Sequence, residues 1–240
     1  YIGIPQHRER VYIMCIRKDI GTIKPFQFDN SSIMPCCIDS ILEDDNCIKD
    51  IEEYRISHDM IALIDLWNEL LQNLKVQRLP GFPIWSDRLG DLDANEDLSQ
   101  YPCWKRNIIM KNNELYINNR NYIDNWLMKA KKNPLFFGAK AKLEWQAGQT
   151  EKPNIWEQIF QLRPSGIRVK TNSYFPALVA IVQTSIIGSR KRYLTPRECA
   201  RLQCFPESFI PDKKKVQAYR QFGNAVNVKC AKLLIEHMIG

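Results

Sequence analysis

Histidine is scarce in this chain, with three in 240 residues. Eight cysteines are present, but no two stand in a C-x-x-C spacing, and only Cys36 and Cys37 are adjacent. That scatter excludes the usual zinc frameworks and leaves a metal-binding or redox role without a ligand set. Glycine is thin as well: ten residues, no two of them in a G-x-G arrangement. A glycine-rich loop of the phosphate-cradling kind is therefore missing. No apolar run reaches the ~18 residues that a membrane-crossing helix needs. No secretory leader pattern is visible, so the cysteines are expected as free thiols. No internal repeat or low-complexity tract occurs. The first methionine is Met14, and the chain is expected to be the tail of a longer product.

What the chain does have is segregated charge. The net charge is +7. Residues 1–20 carry 4 basic and 2 acidic side chains, residues 21–100 carry 6 and 16, and residues 101–240 carry 24 and 9. The last stretch, net +15, points to a polyanionic partner, and the acidic stretch to a surface facing elsewhere. At 45% hydrophobic, the chain can bury a globular core in one large domain or two small ones.

Along the chain, Gln6, Arg8 and Arg10 alternate and would project to one side of extended backbone. Val11–Ile16 is apolar and β-branched enough for a buried strand. Residues 20–60 read as acidic and irregular: Ser31, Ser32, Pro35 and Asn46 mark loop, and Ile38–Leu42 a helical turn or two. Met60–Leu74 has helical apolar spacing. Residues 107–113 and 118–125 alternate polar and apolar, and a helix is expected over Tyr122–Lys132. Ile155–Leu162 is a short amphipathic segment. A basic turn and strand follow over Arg163–Lys170, with Arg163, Arg168 and Lys170 as candidate nucleic-acid contacts. Phe175–Ile187 reads as a buried strand.

The stretch from Arg190 to Val226 organises the rest. Thr195-Pro196-Arg197-Glu198 has the form of a capping box, with Thr195 as N-cap and Pro196 as first helical residue. Arg190, Lys191, Arg192, Arg197 and Arg201 crowd the start of that helix. A helix N-terminus already carries positive partial charge, so these cations call for an anion, and a phosphate is the natural candidate.

Residues 192–206, RYLTPRECARLQCFP, resemble motif IX of the DNA cytosine-C5 methyltransferases. Gln221-Phe222-Gly223-Asn224-Ala225-Val226 resembles motif X, and Gln6-His7-Arg8-Glu9-Arg10 resembles motif VIII, Q-x-R-x-R. The three stand in the family's order. The resemblance implies an α/β fold: the last strands of a Rossmann-like, S-adenosyl-L-methionine-dependent methyltransferase sheet, plus a smaller mixed α+β target recognition domain. It also implies three parts: residues 1–19 with the catalytic domain, residues 20–190 as the recognition domain, and residues 191–240 as a hinge and a helix, Val226–Met238, returning to the catalytic domain. Val226, Val228, Ala231, Leu234, Ile235 and Met238 would form that helix's apolar face.

By the same resemblance, Arg10 would stabilise charge near O2 of a flipped-out cytosine, and Arg8 would fix the strand and neutralise phosphate. Gln6, Arg192, Thr195 and Arg197 would contact double-stranded DNA. Asn224 and Ala225 would form part of an S-adenosyl-L-methionine pocket. The family's nucleophilic Pro-Cys-Gln, its Glu-Asn-Val and its Phe-x-Gly-x-Gly loop have no counterpart here. Pro35-Cys36-Cys37 and Pro102-Cys103-Trp104 lack the Gln and stand in the wrong interval. The chain is thus expected to be inactive alone, to need an N-terminal catalytic part or subunit, and to act without metal or membrane. A bacterial cytoplasmic restriction-modification setting would suit it. The alternative is a non-catalytic, sequence-specific DNA-binding module.

Overall fold

A computed structural model describes residues 3–21, 26, 37–93, 95–180 and 184–239. The chain forms a mixed α/β structure of two compact units. One gathers residues 1–54, 173–184 and 194–240; the other holds residues 55–172 and 185–193. The loop reading at Ser31, Ser32 and Pro35 lies outside the described residues.

The second unit is built on a six-stranded sheet. In chain order its strands are β2 (Ile84–Trp85), β3 (Lys142–Gln146), β4 (Ile159–Arg163), β5 (Gly166–Lys170), β7 (Ile186–Ile187) and β8 (Arg192–Tyr193). They lie side by side as β2-β3-β5-β4-β7-β8. Only β3 and β5 run parallel; the other neighbours are antiparallel. Because side chains alternate along a strand, Leu143, Trp145, Phe160, Leu162, Ile167 and Val169 share one face. They pack into the core with helix α1 (His58–Asn73), which follows the expected Met60–Leu74 periodicity. The Ser57 hydroxyl caps α1 by accepting from the Met60 amide at 3.2 Å. Trp67, Trp126 and Phe136 meet with ring centroids 5.0–5.8 Å apart. Both indoles also reach carbonyls: Trp67 donates to Lys140 at 3.1 Å and Trp126 to Leu66 at 2.8 Å. A buried indole is stable when its N–H is met in this way.

Helix α2, Cys103–Ala130, overturns the alternating reading of residues 107–125. Asparagine is a poor helix former because its amide competes with the backbone. Here that competition is turned inward. Asn112 is buried, donates to Ile108 O at 2.8 Å and Pro83 O at 3.0 Å, and accepts from the Trp85 amide at 2.8 Å. Asn119 donates to Leu115 O at 3.0 Å and accepts from the Lys75 amide at 2.7 Å. The helix is locally broken at Asn119, with φ −133 and ψ 20. Each Asn satisfies its own turn while tying down a loop amide. The amphipathic segment at Ile155–Leu162 becomes a 3-10 turn, Ile155–Glu157, followed by β4.

The first unit has little sheet. Strand β1 (Gln6–His7) pairs in parallel with β6 (Phe175–Pro176). Val11–Ile16 is not a buried strand: no ladder partner lies beside it among the described residues, and Val11 and Ile13 are 90% and 85% exposed. A strand needs a neighbour to receive its backbone groups. Phe175–Ile187 is likewise not one strand but two dipeptide strands, β6 and β7, in different units. Ile181–Gln183 falls outside the described residues. Three helices complete the unit: α3 (Pro196–Leu202), α4 (Lys215–Asn224) and α5 (Val228–Ile239). Phe205, Phe209 and Phe222 cluster between α3 and α4 at 4.6–6.0 Å. Helix α5 runs close to the expected range, but its buried residues are Cys230 and Leu234, with Asn227 buried just before it; Val226, Val228 and Ile235 are exposed.

Candidate functional site

In the first unit, α3 starts as its sequence dictates. The Glu198 amide donates to Thr195 Oγ1 at 3.1 Å, and the Thr195 amide donates to Glu198 Oε2 at 2.8 Å. The other Glu198 oxygen accepts from the Glu43 amide at 3.0 Å, and the Thr195 hydroxyl donates to the Glu43 carboxylate. Thr195 is therefore buried and fully engaged. It caps a helix and anchors residue 43, and has no hydroxyl proton left for DNA.

The cations nearby, expected to meet a phosphate, also have internal partners. Arg201 grips Glu207 through two bonds of 2.8 and 3.0 Å and donates to Ile41 O at 3.2 Å. That contact holds the Glu207 carboxyl below the usual carboxylate range. Arg197 donates to Phe209 O at 2.6 Å and, more weakly, to Pro206 O at 3.4 Å. It fastens the loop after α3. Burial, then the adjacent Glu198, pushes the Cys199 thiol well up, so this cysteine is inert. In the second unit, Arg192 is 0% exposed within β8, beside Ile187 and Arg55. Its guanidinium is enclosed, not displayed to a phosphate. Lys191 instead stands 4.8 Å from the Trp156 ring centroid.

Arg8 is the fastener of the first unit. It donates to Leu178 O at 2.8 Å, Gly223 O at 3.1 Å and Ala225 O at 3.0 Å. One guanidinium thus joins three segments up to 217 positions apart. Its fixed fork of N–H donors suits that task, and it stays protonated. Burial, and then the neighbouring Arg10, lower its pKa. Gly223 is required at the same place. A Cβ there would lie 2.5 Å from the Ala180 nitrogen and closer still to the Val179 carbonyl. Only glycine lets the end of α4 meet residues 179–180.

Arg10 leaves this clamp and is exposed, donating to Glu9 O at 2.6 Å. Gln6 turns the other way. Gln203 Nε2 donates weakly to Gln6 Oε1 at 3.5 Å, and the remaining amide atoms, Gln6 Nε2 and Gln203 Oε1, are buried without a partner. Asn224 is exposed at the last position of α4 and Ala225 is half-buried beside it. The structure thus brings Gln6, Arg8, Asn224 and Ala225 into one unit.

In the second unit, Arg163, Arg168 and Lys170 share the sheet face opposite the core, by the β4–β5 register. Arg168 is locked to Glu144 Oε2, with Nε at 2.8 Å and Nη2 at 2.8 Å. Burial, then repulsion from Arg168, lowers the pKa of both Arg163 and Lys170. Among the described residues, no cluster of His, Cys, Asp or Glu is arranged to hold a metal ion. No described helix is long and apolar enough to cross a membrane.

The family model of the C-5 cytosine-specific DNA methylases matches residues 1–240, the whole chain. The chain belongs to that family. The Type II methyltransferase M.AluI of Cellulosimicrobium cellulans is 40% identical over 57% of this chain and 26% of its own length. M.BanI of Aneurinibacillus aneurinilyticus is 26% identical over 98% of the chain and 60% of its own length. M.HhaI of Haemophilus parahaemolyticus is 24% identical over 93% and 46%. The chain therefore spans from about a quarter to three fifths of these curated relatives. No solved structure matches it.

For a C-5 cytosine-specific methylase, some site positions were readable and others were not. The capping box follows from the motif, whereas the joining of residue 8 to the Gly223–Ala225 turn was not expected. Gln203 and Glu43 were missed. Gln203 carried a signal, since it stands four residues after Cys199 on the helix's buried side. Glu43 carried none: it is one carboxylate among many in an acidic stretch.

Proposed function

We propose that this chain is the C-terminal portion of a DNA cytosine-C5 methyltransferase of a bacterial restriction-modification system. Its partner would be the N-terminal catalytic part of the enzyme, carrying the nucleophilic cysteine and the cofactor loop, and its substrate double-stranded DNA. The observation that carries this reading is the Arg8 clamp, in which the Q-x-R-x-R segment and the Gly223-Asn224-Ala225 turn close on each other. A pure DNA-binding module has no need to unite these two motifs.

In this reading Arg8 is a positioning residue. Its donors are taken by three carbonyls, so it holds the strand and leaves Arg10, one alternation further, open to solvent. Arg10 is then free to approach a flipped-out base, where a fixed cation stabilises developing negative charge. The second unit would be the target recognition domain. Thr195 and Arg197 brace the start of α3 and the loop after it, and Arg192 is enclosed within β8.

The residues here fit S-adenosyl-L-methionine only as one wall of a pocket. The Gly223 and Ala225 carbonyls are occupied by Arg8, which leaves the exposed Asn224 side chain as the available polar group. When bound, that cofactor would supply the methyl group.

Mixing the chain with an N-terminal segment bearing Pro-Cys-Gln and a glycine-rich loop tests the proposal. Transfer of labelled methyl to cytosine C5 is expected from the mixture and not from the chain alone. A mixture that binds DNA but never modifies C5 would overturn it. In an active mixture, Arg10→Ala should reduce turnover far more than DNA affinity; equal losses would favour the non-catalytic module.

A further inference from the structure

We infer that the outer face of β4 and β5 is a phosphate anchor for duplex DNA and not a base-reading surface. This rests on the reading of the second unit as the DNA-facing one and says how it holds its substrate.

The register places Arg163, Gln161 and Ile159 in line with Gly166, Arg168 and Lys170, and Arg168 and Lys170 in line with Glu144 and Gln146 on β3. Four cations, Lys142, Arg163, Arg168 and Lys170, and a single carboxylate, Glu144, thus share this face of three adjacent strands, beside the buried Ile159 and Gln161. Glu144 is taken by Arg168, so Arg163 and Lys170 stand half-buried beside a guanidinium of their own sign. Burial and Arg168 both disfavour their charge. Like charges held together at reduced hydration are relieved by an arriving anion. Gly166 lies between Arg163 and Lys142 with φ +137 and no side chain, so the floor there is backbone.

Two observations decide for phosphate over base edges. First, β5 and β4 are the third and fourth strands of six. Six strands at ~4.8 Å spacing span roughly 24 Å, whereas the major groove is about 12 Å wide. A face in the middle of such a sheet rides on the backbone ridges and does not enter the groove. Second, the central fork of the face is committed: Nε and Nη2 of Arg168 already meet Glu144, which leaves Arg163 as the one guanidinium beside it. Lys170 is a point charge, suited to phosphate and poor at bidentate readout.

The test uses the full chain and two duplexes of unrelated sequence, with affinity measured between 50 and 200 mM salt. Arg163→Gln plus Lys170→Gln should lower the slope of log affinity against log salt by about 1.8, at ~0.9 per phosphate contact. Over that range the wild type would lose about 12-fold more affinity than the double variant. Both duplexes should shift by the same factor, and Lys170→Arg should keep the wild-type slope. Because the substitutions relieve repulsion, thermal melting should hold or rise, which separates lost contacts from lost fold. An unchanged slope, or tenfold more loss on one duplex than on the other, would overturn the anchor while leaving the methyltransferase reading intact. A wild-type chain that binds neither duplex would overturn the reading of the second unit as the DNA-facing one, and the anchor with it.

Discussion

Replacing Arg8 with alanine should loosen the first unit more than any other single surface-reaching substitution there. The side chain makes three bonds of 2.8–3.1 Å to carbonyls on two separate segments. Each hydrogen bond from a charged donor contributes about 1.5–3 kcal/mol on its own. The three share one guanidinium and are not independent, so the sum is well below threefold. An expected loss is about 2–4 kcal/mol, equivalent to a ~30- to 900-fold fall in opening equilibrium at 1.36 kcal/mol per decade. Hydrogen exchange is the fitting assay, because two units need not unfold together. Amides of α4 and α5 should lose protection by that factor, while those of α1 and α2 keep theirs. Arg8→Lys should recover less than half, since an ammonium cannot fork between Leu178 and the Gly223–Ala225 turn. Protection in α4 and α5 within about twofold of wild type in Arg8→Ala would refute the clamp.

Gly223→Ala should lower the melting temperature of the first unit: the helix gains about 1 kcal/mol in propensity, but overlap with fixed backbone at residues 179–180 costs about 1–3 kcal/mol; a higher melting temperature would contradict the close approach. Gln203→Leu alone should destabilise by about 1–3 kcal/mol by stranding Gln6, and Gln6→Leu added to it should restore most of the loss, as a double-mutant cycle would show. Glu144→Gln should release Arg168 and steepen the salt dependence of DNA binding by about 0.9; a shallower slope would argue against the anchor. Burial raises the Tyr122 pKa to about 12, above its ordinary value of 10, so the fold prefers the neutral phenol. Its stabilisation is complete below pH 10 and is lost as pH rises towards 12, which alkaline denaturation of wild type and Tyr122→Phe would reveal as a difference confined to that window.

Local chemistry was legible where one residue type has one plain use. Thr195, Pro196 and Glu198 form the expected cap because a capping box needs only four consecutive residues. Helix α1 was legible because its apolar stripe runs unbroken. Helix α2 was not, because Asn112 and Asn119 find partners at Pro83, Trp85 and Lys75, which no local pattern announces. The same limit explains the cations around α3. Counting charge along the sequence left Arg197 and Arg201 unpaired, but Arg201 finds the Glu207 carboxylate six residues on, and Arg197 finds carbonyls at Pro206 and Phe209, and backbone oxygens are invisible to a charge count. Val11–Ile16 was misread for the opposite reason: its composition is that of a strand, and the neighbour that would make it one is not among the described residues.

The boundary between the two units falls inside the most recognisable motif of the chain. Arg192 and Tyr193 belong to the second unit, where they form the terminal strand β8, and Leu194 onward belongs to the first. The second unit is also assembled from two stretches, because β7 and β8 return to it after residues 173–184 have passed elsewhere. Any exchange of that unit between relatives, whether by recombination or by an engineer, has to carry both stretches. A graft cut at the start of the motif would leave behind Arg192 and Tyr193, the edge of the transplanted sheet. One cut between Tyr193 and Leu194 would move the sheet whole and leave the helix cap with its host. The motif is thus a seam as well as a signature, and the workable joint for chimeras runs through its middle.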